Sequence, residues 1–125
     1  NKVIDFIDVS TLKIIEEDVN TVALFFSGRN KKFGDAAIGK LDGSLLIDKN
    51  TNSPVSMTIV NNQKFSPKFI LAIEHWRMEF NFAREGNLTI QTIQKAEMSG
   101  SIAMLTDLKL STLVTYSDYE HFLIQ

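Results

Sequence analysis

Cysteine is absent from the chain, which has 125 residues. Its absence excludes disulfide bonds, zinc–thiolate sites, iron–sulfur clusters and cysteine nucleophiles. Long apolar runs are also missing: no run exceeds the one at residues 69–73, whereas a membrane-spanning helix needs about 18 apolar residues. We therefore expect neither a disulfide-stapled fold nor a transmembrane segment.

An excess of one charge sign is missing too. Thirteen basic residues stand against 15 acidic ones, which gives a net charge of −2. Nucleic-acid-binding domains usually carry a basic face, so we expect no nucleic-acid partner. Hydrophobic residues make up 44% of the chain and charged residues 22%, as in a folded globular domain. We predict one β domain over residues 1–125, either whole or as a piece of a longer chain.

Alternation of apolar and polar residues is the dominant pattern. From Trp76 to Phe82 every second residue is apolar, as in a strand with one buried face. Similar patterns at residues 88–93 and 106–116 predict further strands, and a slip of phase near Ser111 predicts a bulge. Shorter strand-like runs cover residues 21–26 and 55–60, and weaker ones cover residues 3–7 and 12–15.

These runs predict an all-β fold, or a β-dominated α+β fold. Its core would be one strongly curved antiparallel sheet of about seven or eight strands, forming an incomplete or small barrel. Such a sheet must close on itself, or its concave face must be covered. No covering helix is evident in the sequence.

Polar clusters predict the turns of this sheet. Residues 84–87 join two strong strand patterns and predict a tight hairpin turn. Residues 48–54 predict a polar turn that ends at a proline. Residues 27–35 predict an exposed loop. Asp42 and Gly43 are ambiguous: they fit either a hairpin turn or a glycine bulge inside a strand over residues 37–47. We favour the continuous strand.

One segment has features of both helix and strand. Ser66 and Pro67 resemble a helix start, and a helical spacing of large residues follows them. The strict alternation after Trp76 fits a helix poorly. We predict a strand from about residue 69 to 83, with a helical turn at its start.

The two histidines offer little catalytic chemistry. His75 is predicted on the face opposite Trp76, where a solvent-facing residue is more probable than a base or metal ligand. His121 with Asp118 and Glu120 would make a weak metal site, and a polar chain end is favoured instead. Phosphate-binding loops, a hydrolase elbow and a complete EF-hand loop are absent. We expect no enzyme activity, no cofactor and no metal.

Apolar residues are better candidates for binding, because the chain has nine Phe, four Met and one Trp. A concave apolar face could hold an acyl chain, although each of these apolar residues could equally be part of an ordinary packed core. The candidate ligand-binding residues are Trp76, Met78, Phe80, Phe82, Met57, Ile59, Ile102 and Met104. The basic loop at residues 29–32 would either meet an anionic head group or be simply solvated.

Two stretches resemble bacterial envelope proteins. Residues 38–57 resemble a sequence pattern of these proteins. In that pattern a strand ending in I-D-K is followed by a polar turn that contains Pro-Val, and then by a returning strand. Residues 112–122 resemble the pattern Y-S-x-Y-x-x-F at the C-terminal end of these proteins. Over about residues 36–122 the chain is thus similar to the LolA/LolB-like group of periplasmic lipoprotein-carrier and lipid-binding β-proteins. The resemblance implies an incomplete barrel, an apolar concave face and a periplasmic or cell-envelope location.

Three hypotheses for function follow. The first is a non-enzymatic binding module of the bacterial cell envelope, with an apolar cavity of a few hundred Å³ for a lipid or acyl chain. The second is a structural or protein-interaction β module of a larger surface or assembly protein. Its core would be filled, and a contiguous apolar patch would lie outside. The third and least favoured is an enzyme based on His75 with Glu74, or on His121 with Asp118.

Overall fold

The computed structural model describes residues 3–115, which form one antiparallel sheet of eight strands. The strands are β1 Ile7–Glu17, β2 Thr21–Gly28, β3 Leu41–Asp48, β4 Ser53–Asn61, β5 Phe65–Lys68, β6 Leu71–Glu85, β7 Leu88–Ile102 and β8 Thr106–Thr115. Two short 3₁₀ segments, Val3–Phe6 and Gly34–Ala37, precede β1 and β3. The described part of the chain has no helix long and apolar enough to cross a bilayer.

The sheet does not close, and β1 and β8 are its two edges. The strand order is β1-β2-β3-β4-β6-β7-β8. Residues 77–81 of β6 pair with β4, and the start of β6 pairs with β5. Because β7 occupies the other edge of β6 along its length, β4 and β5 lie end to end on the same side. The expected all-β fold with an incomplete barrel is confirmed.

The core lies on one face of this sheet. Alternate residues of β6, namely Trp76, Met78 and Phe80, are buried, while Arg77 between them is exposed. This is the alternation that the sequence predicted. The neighbouring strands contribute further buried residues, which are Phe26, Leu41, Met57 and Ile59.

Short segments cover this face in place of a helix or a second sheet. The Phe6 ring, just before β1, lies 5.6 Å from the Phe80 ring. The Phe33 ring, just before the second 3₁₀ segment, lies 5.2 Å from the Phe65 ring and 5.5 Å from the Trp76 ring. Both Phe33 contacts are edge-on, an arrangement that aromatic quadrupoles favour.

Two details of the predicted strands were wrong. Ser66 and Pro67 lie in β5 rather than in a helical turn, because the buried Phe65 pairs with β6. The predicted bulge near Ser111 is absent, since β8 pairs with β7 without a register shift. The apparent slip of phase arises because Leu113 lies on the face opposite Leu110.

Gly43 lies inside β3, where it pairs with Phe26 on one side and Ile59 on the other. The hairpin-turn alternative is therefore wrong, and so is a bulge at this position. The strand also begins later than predicted, because a 3₁₀ segment ends at Ala37. Glycine is needed at position 43 because a Cβ atom there would overlap the ring of Phe26.

Substitution of this glycine should destabilise the fold. We expect Gly43→Ala to lower the free energy of unfolding by about 1–3 kcal/mol, the usual cost of overpacking a core. Ser44→Ala, at the adjacent exposed position, is the control and should change it by less than about 0.5 kcal/mol. Urea denaturation measures both, and equal effects of the two substitutions would refute the packing role of Gly43.

The turn between β1 and β2 is organised by Asp18. Its carboxylate accepts hydrogen bonds from the backbone N–H of Thr21, at 2.7 Å, and of Asn20, at 2.8 Å. These bonds favour the charged form and hold the pKa of Asp18 below its ordinary value, and the nearby charge of Lys49 acts in the same direction.

The lowered pKa of Asp18 predicts a loss of stability in acid. A carboxyl with a lower pKa in the folded than in the unfolded state stabilises the fold above its unfolded pKa. That contribution is lost as the pH falls from about 4 through the folded pKa. We expect Asp18→Asn to show a smaller fall in Tm over this window than the wild type. Thermal melts at several pH values test this, and parallel pH profiles for the two proteins would contradict it.

Candidate functional site

The residues predicted to line an apolar cavity fall into two groups. Five of them, Met57, Ile59, Trp76, Met78 and Phe80, are buried together in the core, and Phe82 packs half-buried against them. The other two, Ile102 and Met104, lie at the end of β7 and in the turn that follows, and both are exposed. Sequence alternation located the first group, whereas it could not separate the second group from the core.

Truncation should distinguish a packed core from a binding surface. Phe80 is 2% exposed, whereas Met104 is 90% exposed. We expect Phe80→Ala to lower the free energy of unfolding by about 3–5 kcal/mol, and Met104→Ala to change it by less than about 0.5 kcal/mol. Chemical denaturation measures both values. A small effect of Phe80→Ala would show that this side chain does not contribute to a filled core.

A cleft of about 480 Å³ lies across β4, β6, β7 and β8. The strand pairing aligns His75 with Ser99 and Lys109, and aligns Arg77 with Glu97. These side chains alternate with the buried core residues of β6, so they lie on the opposite face of the sheet. The cleft is also lined by Trp76, Met98 and Leu110, so its walls combine apolar and charged groups, and its volume is in the range of small-ligand pockets.

This polar face offers little for catalysis. His75 is exposed, as the sequence predicted. Arg77 forms an ion pair with Glu79 at 2.6 Å, but both side chains remain substantially exposed, and such pairs contribute little. No group of His, Asp and Glu side chains within residues 3–115 could hold a metal ion. The weaker candidates His121, Asp118 and Glu120 lie outside the described residues.

Strand β8 is a long, regular edge. All ten of its residues pair with β7, and its outer edge has no partner strand in the described part of the chain. Leu110 aligns with Met98 and Trp76, which places it on the core face of the sheet. Nevertheless it is 52% exposed, and Val114 on the same face is 37% exposed. The apolar face of the sheet thus continues onto β8 beyond the covered core.

The opposite edge strand, β1, is irregular. Its pairing with β2 shifts register twice. At the first shift the Thr11 hydroxyl donates to the Asp8 carbonyl at 2.6 Å and accepts from the Ser27 N–H at 2.7 Å. Bulges of this kind are common devices that prevent a further strand from pairing at a sheet edge. The two edges are therefore unequal, and β8 is the one suited to pairing.

A second exposed surface lies at one end of the sheet. The turn at residues 69 and 70 lies beside the turn at residues 103–105, because the Ala103 N–H donates to the Ile70 carbonyl at 2.6 Å. We call the four large side chains of these turns the apolar tip; they are Phe69, Ile70, Met104 and Leu105, and all are exposed.

The second of these turns has an unusual backbone. Ala103 and Met104 have φ angles of 54° and 60°. Asn and Gly adopt such left-handed angles most readily, and other residues do so at a cost of roughly 1–3 kcal/mol each. The turn thus combines a strained backbone with a large apolar side chain, Met104, that is exposed to solvent.

Comparisons with protein-family models, curated proteins and solved structures found no match. The similarity to the LolA/LolB-like group therefore stays a prediction. The second of the two stretches that carry this resemblance, residues 112–122, also lies mostly outside the described residues. The β8 edge, the cleft and the apolar tip are the candidate functional surfaces of the described chain.

Proposed function

We propose that the chain is a non-enzymatic interaction module that binds an extended segment of a partner protein along the outer edge of β8. The observation that carries the proposal is that, among residues 3–115, all ten residues of β8 pair regularly on one side and no strand pairs on the other. In strand addition, main-chain hydrogen bonds supply affinity and alternate side chains supply specificity.

The backbone of β8 supports this function. An edge strand presents N–H and C=O groups that another strand can pair with, and proteins usually blunt such edges with bulges or charges. Strand β1 has two register shifts and the acidic Glu16 and Glu17 at its end. Strand β8 has no register shift, and Asp107 and Lys109 are its only charged residues.

The side chains of β8 indicate the chemistry of the partner. A strand added beside β8 would place every second side chain on the core face, next to Leu108, Leu110 and Val114. Apolar residues at those positions would bury this surface, at roughly 25 cal/mol per Å² removed from water. The other face carries Asp107, Lys109 and Ser111 together with the exposed Leu113, so most of the partner's intervening residues should be polar.

The exposed apolar side chains on the core face of β8 favour a second candidate function. An acyl chain lying along Met98, Leu110 and Val114 would gain about 0.8 kcal/mol per buried CH₂ group. In that case the chain would be the envelope lipid-binding module that the resemblance implies. The two proposals share one surface and differ in its occupant.

A labelled peptide with the sequence of residues 106–115 is a suitable probe for strand addition. Paired antiparallel about Ser111, it would set Leu108 against Val114 and Leu110 against Thr112 on the core face. We expect a saturable rise in fluorescence anisotropy. Leu110→Lys should weaken binding by about tenfold, or 1.4 kcal/mol, because it brings a charge into the new contact. Leu113→Lys, on the other face, is the matched control and should weaken binding much less.

Both leucines are more than half exposed, so both variants should keep the wild-type free energy of unfolding. Equal effects of the two lysines, or no saturable binding, would contradict strand addition. Native mass spectrometry provides the second arm. A co-purifying lipid at one molecule per chain, lost in the Leu110→Lys variant, would support the acyl-chain function and contradict the first proposal.

A further inference from the structure

The outer edge of β8 is geometrically complementary to a second copy of itself. In an antiparallel pair, two residues that face each other must both direct their N–H and C=O groups into the contact, or both away from it. A two-fold axis through a residue of β8 meets this condition, because it matches each residue with one an even number of positions away. The same operation sets the core face of one copy beside the core face of the other.

The charge of Lys109 restricts where this axis can lie. An axis through Lys109 would set this residue against its own copy. An axis through Leu110 would place the two copies of Lys109 diagonally across the contact. Like charges at such positions are destabilising. An axis through Leu108 would pair only residues 106–110 of the strand.

An axis through Ser111 avoids these conflicts. Lys109 then lies opposite Leu113 of the second copy, and Asp107 lies opposite Thr115. No two like charges of β8 face each other, and all but the first residue of the strand is paired. This register therefore combines the longest pairing with the absence of opposed like charges within β8.

The exposed apolar side chains of β8 match in the same register. Leu108 of one copy lies opposite Val114 of the other on the core face, and Leu110 lies opposite Thr112. Each contact occurs twice because of the two-fold symmetry. In the single chain, Leu110 and Val114 are each more than a third exposed, so the pairing removes apolar surface from water.

The other edge of the sheet is unsuited to this contact. If β8 paired with β1 of another copy, the contact would be head-to-tail and would lead to open chains of molecules. Strand β1 shifts register twice and ends in Glu16 and Glu17, and such features prevent strand addition. A contact between two β8 strands uses each β8 edge once and therefore stops at two copies.

We propose that the occupant of the β8 edge is a second copy of the chain, which joins the two open sheets across a two-fold axis at Ser111. This inference rests on the proposed function, because it names the partner of the same edge. A single strand pair is a small interface and supports weak, transient association, so the chain should be monomeric in dilute solution. Ser111 also lines the cleft, so the clefts of the two copies would adjoin at the axis.

Sedimentation velocity of the full chain over about 5–500 µM tests this self-association. We expect the average mass to rise with concentration from that of one chain towards that of two, and no further. Leu110→Lys should weaken the dimer by at least about tenfold, because the symmetry brings two charges into the apolar contact. The matched control is Val9→Lys, since Val9 on β1 is 55% exposed and Leu110 is 52% exposed. It should leave the dimer unchanged.

Leu113 provides a test of the register itself. It is 65% exposed and would lie opposite Lys109 of the second copy. Leu113→Glu would therefore add two ion pairs, and it should tighten the dimer about threefold or more relative to the neutral Leu113→Gln. High salt should remove this difference. Lys95 on β7 faces position 113 in the single chain and in the dimer alike, so its effect cancels.

Three results would overturn this inference. They are a single-chain mass at every concentration, equal association of the Leu110→Lys and Val9→Lys variants, and equal association of the two Leu113 variants. Failure of the proposed function is distinguishable, because the β8 peptide carries no second sheet. A chain that binds this peptide but stays monomeric would retain strand addition and exclude the second copy as the partner. A chain that does neither would contradict both proposals.

Discussion

An antiparallel sheet that stays open must bury its apolar face against something other than itself. Here the cover consists of Phe6 and Phe33, from the short segments before β1 and β3. They pack against Phe80, Phe65 and Trp76 of the sheet. Because these segments are short, the packed core extends only to the β7 residues that border it. Within the described part of the chain, strand β8 is therefore left with one apolar face and one edge open, and the proposed protein contact depends on this incomplete cover.

The β8 edge and the apolar tip are separate surfaces of the same sheet. The β8 edge runs along the strands, whereas the apolar tip projects from their ends. A partner strand on β8 would extend the sheet sideways without covering Phe69 or Met104. The cleft shares Leu110 and Met98 with the proposed β8 contact.

Local sequence predicted most of the framework. Alternation from Trp76 to Phe82 identified the central strand and its buried face, and Gly86 correctly placed the turn between β6 and β7. The glycine at position 43 could not be interpreted locally, because its role comes from the Phe26 ring on a neighbouring strand. The exposure of the apolar tip could not be predicted either, since Phe69 has the same apolar character whether it is buried or exposed. Sequence gives periodicity, whereas exposure depends on which segments pack on which face.

Amide hydrogen exchange, followed by NMR along β7 and β8 in dilute protein, tests the open edge directly. Each strand directs successive N–H groups to alternate sides. The amides of residues 93–102 of β7 lie between β6 and β8 and should all be protected. In β8 only every second amide bonds to β7, so the alternate amides should exchange much faster. Uniform protection of β8 at the level of β7 would show that its outer edge is already occupied, and would contradict the interaction function proposed here.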